Sequence, residues 1–268
     1  VYPWAPWGGG GGALGGGMWG AVWAAAAGAL ALARGGGPPA PWAPPAYNSS
    51  VAAALRRFPG CTSGECPRPG GSDPYAGPPF EAPSGRVCGL AFLGGGCSEY
   101  RLATFDSAAA ALSAGHRVTH ETPCGTCSDL TSLAAYVEHT DLTTPVRRCA
   151  ARAAVLGWSA GMRCLGSLGF PEPCAETWLY NARNTRRKCG LVCLAAWARG
   201  WPNNRPDGSL NACLQCDEDQ SGPGFKWAAG RTRRNSGLLS AIARPGGEVA
   251  HVVHDYWQLC GRAGGPGE

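Results

Sequence analysis

The stretch Cys124-Gly-Thr-Cys-Ser-Asp-Leu-Thr-Ser-Leu-Ala-Ala-Tyr-Val137 contains the two features that decide the fold. It opens with a pair of cysteines two residues apart. The apolar residues that follow recur at i, i+3, i+4 and i+7 from Leu130, which is one face of an amphipathic helix. Ser128 is placed to cap that helix. The stretch predicts a helix attached at its beginning to a disulfide or metal site.

Cysteines are also frequent in other parts of the chain. Fourteen of the 268 residues are cysteines, and they lie between Cys61 and Cys260. A second close pair is Cys213-Leu-Gln-Cys216. So dense a set is typical of domains that disulfides stabilise in an oxidising compartment. The pairing does not follow from the sequence.

Helical patterns dominate the cysteine-containing part. We predict further helices over 103–114, 144–156, 171–198 and 221–234, with a short helical piece around the second cysteine pair. In the long helix, Cys189 and Cys193 share a face and are expected to bond to neighbouring helices. The segment from His116 to His120 is too short to identify as a strand. The sequence therefore predicts a mainly α, disulfide-rich helical domain, preceded by a disordered N-terminal region rich in Gly and Pro.

Four regions are expected along the chain. Residues 1–33 are an apolar signal peptide or anchor, residues 34–87 a Gly/Pro-rich linker, 88–260 the cysteine-rich domain and 261–268 a disordered tail. The signal-peptide interpretation takes Met18 as the true start and places cleavage after Ala33. The alternative is a membrane anchor through residues 8–33, which carry no charge.

Both interpretations place the cysteines outside the cytoplasm. The protein is therefore predicted to be secreted or lumenal, or else anchored with a lumenal or extracellular domain. Asn48 begins an Asn-Ser-Ser glycosylation sequence. A glycoprotein is the expectation.

The charge pattern favours a particular class of partner. The formal net charge is +5, and nearly all basic residues are arginines, with Lys188 and Lys226 the only lysines. Arginine suits carboxylate and phosphate groups, so an anionic small molecule or an extracellular or lumenal partner is expected. Nucleic acid is not, since no nucleic-acid-binding motif is present and disulfides indicate another compartment.

The close cysteine pairs support two chemical hypotheses. Cys124 and Cys127 precede a helix, where a thiolate is stabilised, as in thiol–disulfide oxidoreductases. Together with Cys213 and Cys216, these two cysteines also match the ligand set of a four-cysteine zinc site. The competing interpretation is that each cysteine belongs to a separate structural disulfide. No cofactor is predicted, and zinc is the alternative.

A polar segment near the end of the chain is the remaining candidate site. An acidic run leads through a turn into a basic one, and the candidate ligand-binding residues are Asp217, Glu218, Asp219, Lys226, Arg231, Arg233 and Arg234. Carboxylates there would serve acid–base chemistry while the arginines hold an anion. The structural alternative is charges placed to complement a helix dipole.

These observations rank the function classes. A disulfide-stabilised binding domain comes first, an oxidoreductase using Cys124 and Cys127 second, and a zinc-binding protein third. A hydrolase or transferase centred on the polar segment is a further alternative. Whether the protein is an enzyme does not follow from the sequence.

Overall fold

A computed structural model describes residues 42–58, 60–77, 85–94, 97–244 and 246–259. The predicted signal peptide or anchor and the predicted C-terminal tail lie outside the described residues. None of the described helices is both long enough and apolar enough to cross a membrane.

Helices form most of the regular structure. They are α1 Ser49–Arg56, α2 Ala108–Ser113, α3 Leu130–Glu138, α4 Thr143–Leu156, α5 Trp158–Ser167, α6 Glu172–Ala198, α7 Ala212–Gln220, α8 Gly222–Ala229 and α9 Tyr256–Leu259. Short 3-10 turns follow at Arg234–Ser236 and Gly246–Glu248. The predicted mainly α, disulfide-rich domain is confirmed.

A four-stranded sheet packs beside the helices. Its strands are β1 Cys61–Gly64, β2 Val87–Leu93, β3 Glu99–Phe105 and β4 Arg117–Glu121. The strand order is β1-β3-β2-β4, and β1 runs parallel to β3 while the other neighbours are antiparallel. This sheet was not predicted from the sequence. β2 reads as a continuous buried run without the alternation that would identify a strand, as expected of a strand covered on both faces.

The most buried helix is α3, which lies at the centre of the domain. Leu130, Leu133, Ala134 and Ala135 have at most 1% of their surface exposed. The cap is Asp129, whose side chain accepts a hydrogen bond from the backbone N–H of Ser132 at 2.8 Å. The predicted cap was Ser128, one residue earlier, and that side chain is instead buried under the helix start.

Residues before Cys88 contribute to the same core. Helix α1 packs against α3 through Val51, Ala52 and Leu55, all of which are buried. β1 extends the sheet. For these residues the structure differs from the predicted linker. Asn48 caps α1, and its Oδ1 accepts hydrogen bonds from the backbone N–H groups of residues 50 and 51, so the glycosylation sequence lies at an exposed helix start.

Two other boundaries differ from the predictions. The predicted helix over 103–114 is β3 at its beginning and α2 only from Ala108. Helix α5 was not predicted at all, because Gly161 and Gly166 interrupt its pattern and Gly157 directly precedes it. The long helix α6, in contrast, follows its prediction to within a residue and passes through Gly190 without a break.

Candidate functional site

The two cysteines of the first close pair are not bonded to each other. Cys124 is bonded to Cys88 on β2, and Cys127 is bonded to Cys174 on α6. Cys127 is fully buried. The predicted redox pair is therefore not formed. The physical reason is that the loop carries each sulfur toward a different layer, the first toward the sheet and the second toward the long helix.

The second close pair is also divided between two disulfides. Cys213 is bonded to Cys193 and Cys216 to Cys189, so two bridges join α7 to α6. The expectation that Cys189 and Cys193 bond to a neighbouring helix is confirmed. All four sulfurs of the predicted zinc site are thus in disulfides, and the described ranges contain no cluster of three or more potential metal ligands.

Two further disulfides lie between described cysteines, Cys61–Cys66 and Cys149–Cys164. The first closes a small loop at β1, and the second joins α4 to α5. Together with the four bridges above they connect the sheet, the central loop and four helices. Six disulfides among the described residues alone are typical of an extracellular domain.

Arg231, one of the predicted ligand-binding residues, is a structural residue. Its side chain is fully buried and donates to the backbone carbonyls of Cys127, Thr119 and Ser128 at 2.9–3.0 Å. It also donates to the hydroxyls of Thr119 and Ser236. Its guanidinium therefore joins β4, the cysteine-containing loop and the 3-10 turn, and cannot reach a ligand.

Two buried histidines lie close to this arginine. His254 and His120 have no exposed surface. Burial lowers the pKa of His254 to about 3, and the charge of Arg231 acts in the same direction. Burial also lowers the pKa of His120 well below its ordinary value. Its Nε2 lies 2.7 Å from Ser128 Oγ. Because no surface is open here, this histidine–serine pair has no access to a substrate.

The accessible site is a groove between α4, α6, α7, α8 and the segment 238–244. Its volume is about 1810 Å³. We call it the α4–α6 groove. Five of the seven predicted ligand-binding residues line it: Asp217, Glu218, Lys226, Arg233 and Arg234. Of the other two, Asp219 faces a different surface depression and Arg231 lies in the core.

Asp217 stands in the groove wall with a network of hydroxyl groups behind it. Thr185 donates to its carboxylate and lies 2.9 Å from Ser221 Oγ. Burial raises the pKa of the Asp217 carboxyl, the hydrogen bond from Thr185 opposes that rise, and the charge of Glu218 adds to it.

Glu218 is neutralised by its neighbours. Its carboxylate accepts from Arg244 and lies 3.5 Å from Arg234, which in turn lies 3.3 Å from Glu248. These two arginines are thus held in ion pairs at the rim.

Arg233 brings a fixed positive charge into the wall. It donates to the backbone carbonyls of Leu239 at 2.5 Å and Tyr136 at 2.6 Å, and its Nε finds no acceptor among the described residues. Burial lowers the pKa of Arg233 to about 10, which still leaves it charged at neutral pH. The backbone carbonyls hold the guanidinium in place without cancelling its charge.

The whole wall has a positive balance. It contains eight basic and three acidic side chains. Five of the basic ones form no ion pair with an acid in the part of the chain that the structure describes: Arg147, Arg148, Arg186, Lys226 and Arg233.

Most of the remaining wall is apolar. α4 contributes Val146 and a row of alanines, and α6 contributes Trp178 and Leu179. Phe225 of α8 closes the bottom, with its ring centroid 4.5 Å from that of Trp178. The sequence analysis did not identify α4 and α6 as groove walls. The available signal was the excess of basic residues between Pro145 and Gly200, whose only acids are at positions 172 and 176.

Comparison with known proteins adds one similarity. A family of unknown function (DUF8771) matches residues 159–252. That segment contains α6, α7, α8 and the segment 238–244, and so most of the groove. No curated protein and no solved structure matches the chain.

Proposed function

We propose that this disulfide-rich, extracellular-type domain binds an amphipathic anion, a long-chain carboxylate, in the α4–α6 groove. The observation that carries the proposal is the combination of an apolar wall with unpaired basic side chains in one groove. A hydrocarbon chain would lie along the apolar wall, and its headgroup would lie against the basic side chains.

The size and lining of the groove fit the hydrocarbon part. Pockets for small molecules are usually about 300–1,000 Å³ and mostly apolar, and this groove is larger, at about 1810 Å³. An elongated ligand therefore suits it better than a compact one. Burial of apolar surface contributes roughly 25 cal/mol per Å², so each methylene placed against Val146, Trp178 or Phe225 adds to affinity.

The charges fit the headgroup. Lys226 of α8 and Arg186 of α6 both line the groove, and neither forms an ion pair among the described residues. A carboxylate bound by either side chain would gain a charge-assisted hydrogen bond worth about 1.5–3 kcal/mol.

The test is isothermal titration calorimetry of the folded, oxidised domain with dodecanoate below its micellar concentration. Dodecyl maltoside has the same chain without charge, and acetate is the headgroup alone. We expect dodecanoate to bind more tightly than dodecyl maltoside by about tenfold or more, which is the contribution of one charge-assisted contact. Acetate is expected to bind far more weakly.

Two matched pairs of variants locate the ligand. Ala154→Trp fills the groove from an exposed position of α4, whereas Ala109→Trp makes the same change on α2 outside the groove. Lys226→Gln removes a wall charge, and Arg163→Gln removes an exposed charge outside it. The groove variants should weaken dodecanoate binding and the controls should not. Equal effects of both members of a pair, or no binding by the folded wild type, would overturn the proposal.

A further inference from the structure

The C-terminal half of α6 presents large apolar side chains to solvent. Leu191 is 88% exposed, Leu194 59%, Trp197 65% and, just after the helix, Trp201 38%. We call these four residues the α6 face. Single exposed apolar residues are common, but a contiguous group marks an interaction surface. Four such side chains within eleven residues form a group of that kind.

Basic side chains surround the α6 face. Arg186, Arg187, Lys188 and Arg199 are exposed, and none forms an ion pair with an acid in the described ranges. The guanidinium of Arg199 lies 5.6 Å from the centroid of the Trp201 ring. On a helix, Arg186 and Lys188 fall on opposite flanks of the line through Leu191 and Leu194. The apolar strip is therefore bordered by positive charge on both sides.

The acidic residues of α6, of α7 and of the loop after Trp201, where Asp207 is exposed, form no ion pair with the basic residues of this border in the described ranges. The acids of α6 itself are Glu172 and Glu176, about 15 Å or more from Arg186 along the helix axis. On the neighbouring α7, Asp217 and Glu218 line the groove. Asp219, also on α7, is exposed and accepts a hydrogen bond from a glutamine of that helix.

We infer that the α6 face docks the protein on an anionic lipid surface. Leucine and tryptophan side chains on one helix face, with flanking Lys and Arg, are the pattern of helices that lie in a membrane interface. The long basic side chains extend to the phosphate level while their stems lie along the apolar layer. Charge complementarity favours anionic headgroups over neutral ones.

The position of the face connects it with the groove. Leu194 and Trp197 also line the α4–α6 groove, so a docked protein would hold the groove mouth at the lipid surface. That connection rests on the proposed function. The docking itself does not, because Leu191, Arg187 and Lys188 lie outside the groove wall.

The test is cosedimentation of the full oxidised chain with vesicles. One set is phosphatidylcholine alone, and the other is phosphatidylcholine mixed with phosphatidylserine. We expect binding to the mixed vesicles only, and less of it at high salt. Each basic residue near such a surface contributes about fivefold in affinity, so the double variant Arg187→Glu/Lys188→Glu should lose most binding. Leu191→Glu should weaken it by about tenfold or more.

The matched control is Leu112→Glu, which changes an exposed leucine on α2, away from the face. It should bind like the wild type. Circular dichroism and calorimetry with dodecanoate on the same variants separate the two proposals. Retained dodecanoate binding with lost vesicle binding supports docking through the α6 face. Absent vesicle binding by the wild type, equal binding to both lipid compositions, or an equal loss in Leu112→Glu overturns it, whatever dodecanoate does.

Discussion

Replacing Arg231 by lysine should destabilise the domain although the charge is kept. The guanidinium makes five hydrogen bonds, to three backbone carbonyls and two hydroxyls, in a fully buried site. An ammonium group has three donors and cannot reproduce the planar fork. At least two bonds are lost. Each is worth about 1.5–3 kcal/mol, so Arg231→Lys should lower the free energy of unfolding by about 3–6 kcal/mol.

That loss is a large part of the stability of an ordinary domain, which is about 5–15 kcal/mol. The measurement is urea unfolding followed by circular dichroism at neutral pH, with disulfides intact. Arg163→Lys, at an exposed position of α5, is the control and should change the free energy by less than about 0.5 kcal/mol. A loss under about 1 kcal/mol for Arg231→Lys would refute the structural role and restore this arginine as a candidate ligand-binding residue.

Four other perturbations should change the stability of the domain by amounts that the structure sets. Replacing both cysteines of the Cys127–Cys174 disulfide by alanine should lower the free energy of unfolding by about 4 kcal/mol, and the same change at Cys61–Cys66 by about 2 kcal/mol. The difference arises because the two disulfides close loops of 47 and 5 residues in the unfolded chain. Equal losses of unfolding free energy in urea would contradict this ranking. The free energy of unfolding should decrease on acidification from pH 6.5 towards 3. The pKa of His254 is about 3 in the folded state, so over this pH range the unfolded chain binds a proton at His254 that the folded chain does not bind. The slope is up to about 1.4 kcal/mol per pH unit, and a free energy of unfolding that is flat or rising over this window would show that the site opens to water. Gly125→Ala should destabilise by about 1–3 kcal/mol, because its Cβ would lie 2.5 Å from a backbone oxygen of the 228–230 turn. Gly166→Ala, with open space around it in a helix, should instead stabilise by up to about 1 kcal/mol in thermal melts.

The sequence predicted elements whose signals are local. Pro171 and Pro173 mark the beginning of α6, and the four-residue spacing of Cys189 and Cys193 indicates the shared face that meets α7. These features depend on neighbours along the chain, so a single sequence contains them. The same holds for the disulfide-rich character of the domain.

The sheet and the burial of individual side chains depend on distant contacts. Strand β2 is stabilised by partners in β3 and β4. Arg231 is buried because acceptors more than 100 residues earlier surround it. By residue type alone it resembles Arg233 and Arg234, and all three arginines were therefore predicted to belong to one ligand-binding segment.

The groove could be anticipated only in part. The acidic and basic residues of one wall are close in sequence, from Asp217 to Arg234, and were predicted as one ligand-binding segment. The apolar wall comes from α4 and α6, which meet only after folding. No local pattern distinguishes their groove-lining alanines from core alanines.

The most direct measurement of ligand binding is a crystal structure of the domain soaked with a terminally brominated dodecanoic acid. If the α4–α6 groove binds long-chain carboxylates, anomalous scattering should place the bromine against the apolar wall near Trp178. The carboxylate should lie within hydrogen-bond distance of Lys226 or Arg186. Bromine only on the exposed α6 face, or an empty groove at ligand concentrations that saturate the calorimetric signal, would contradict the proposed function.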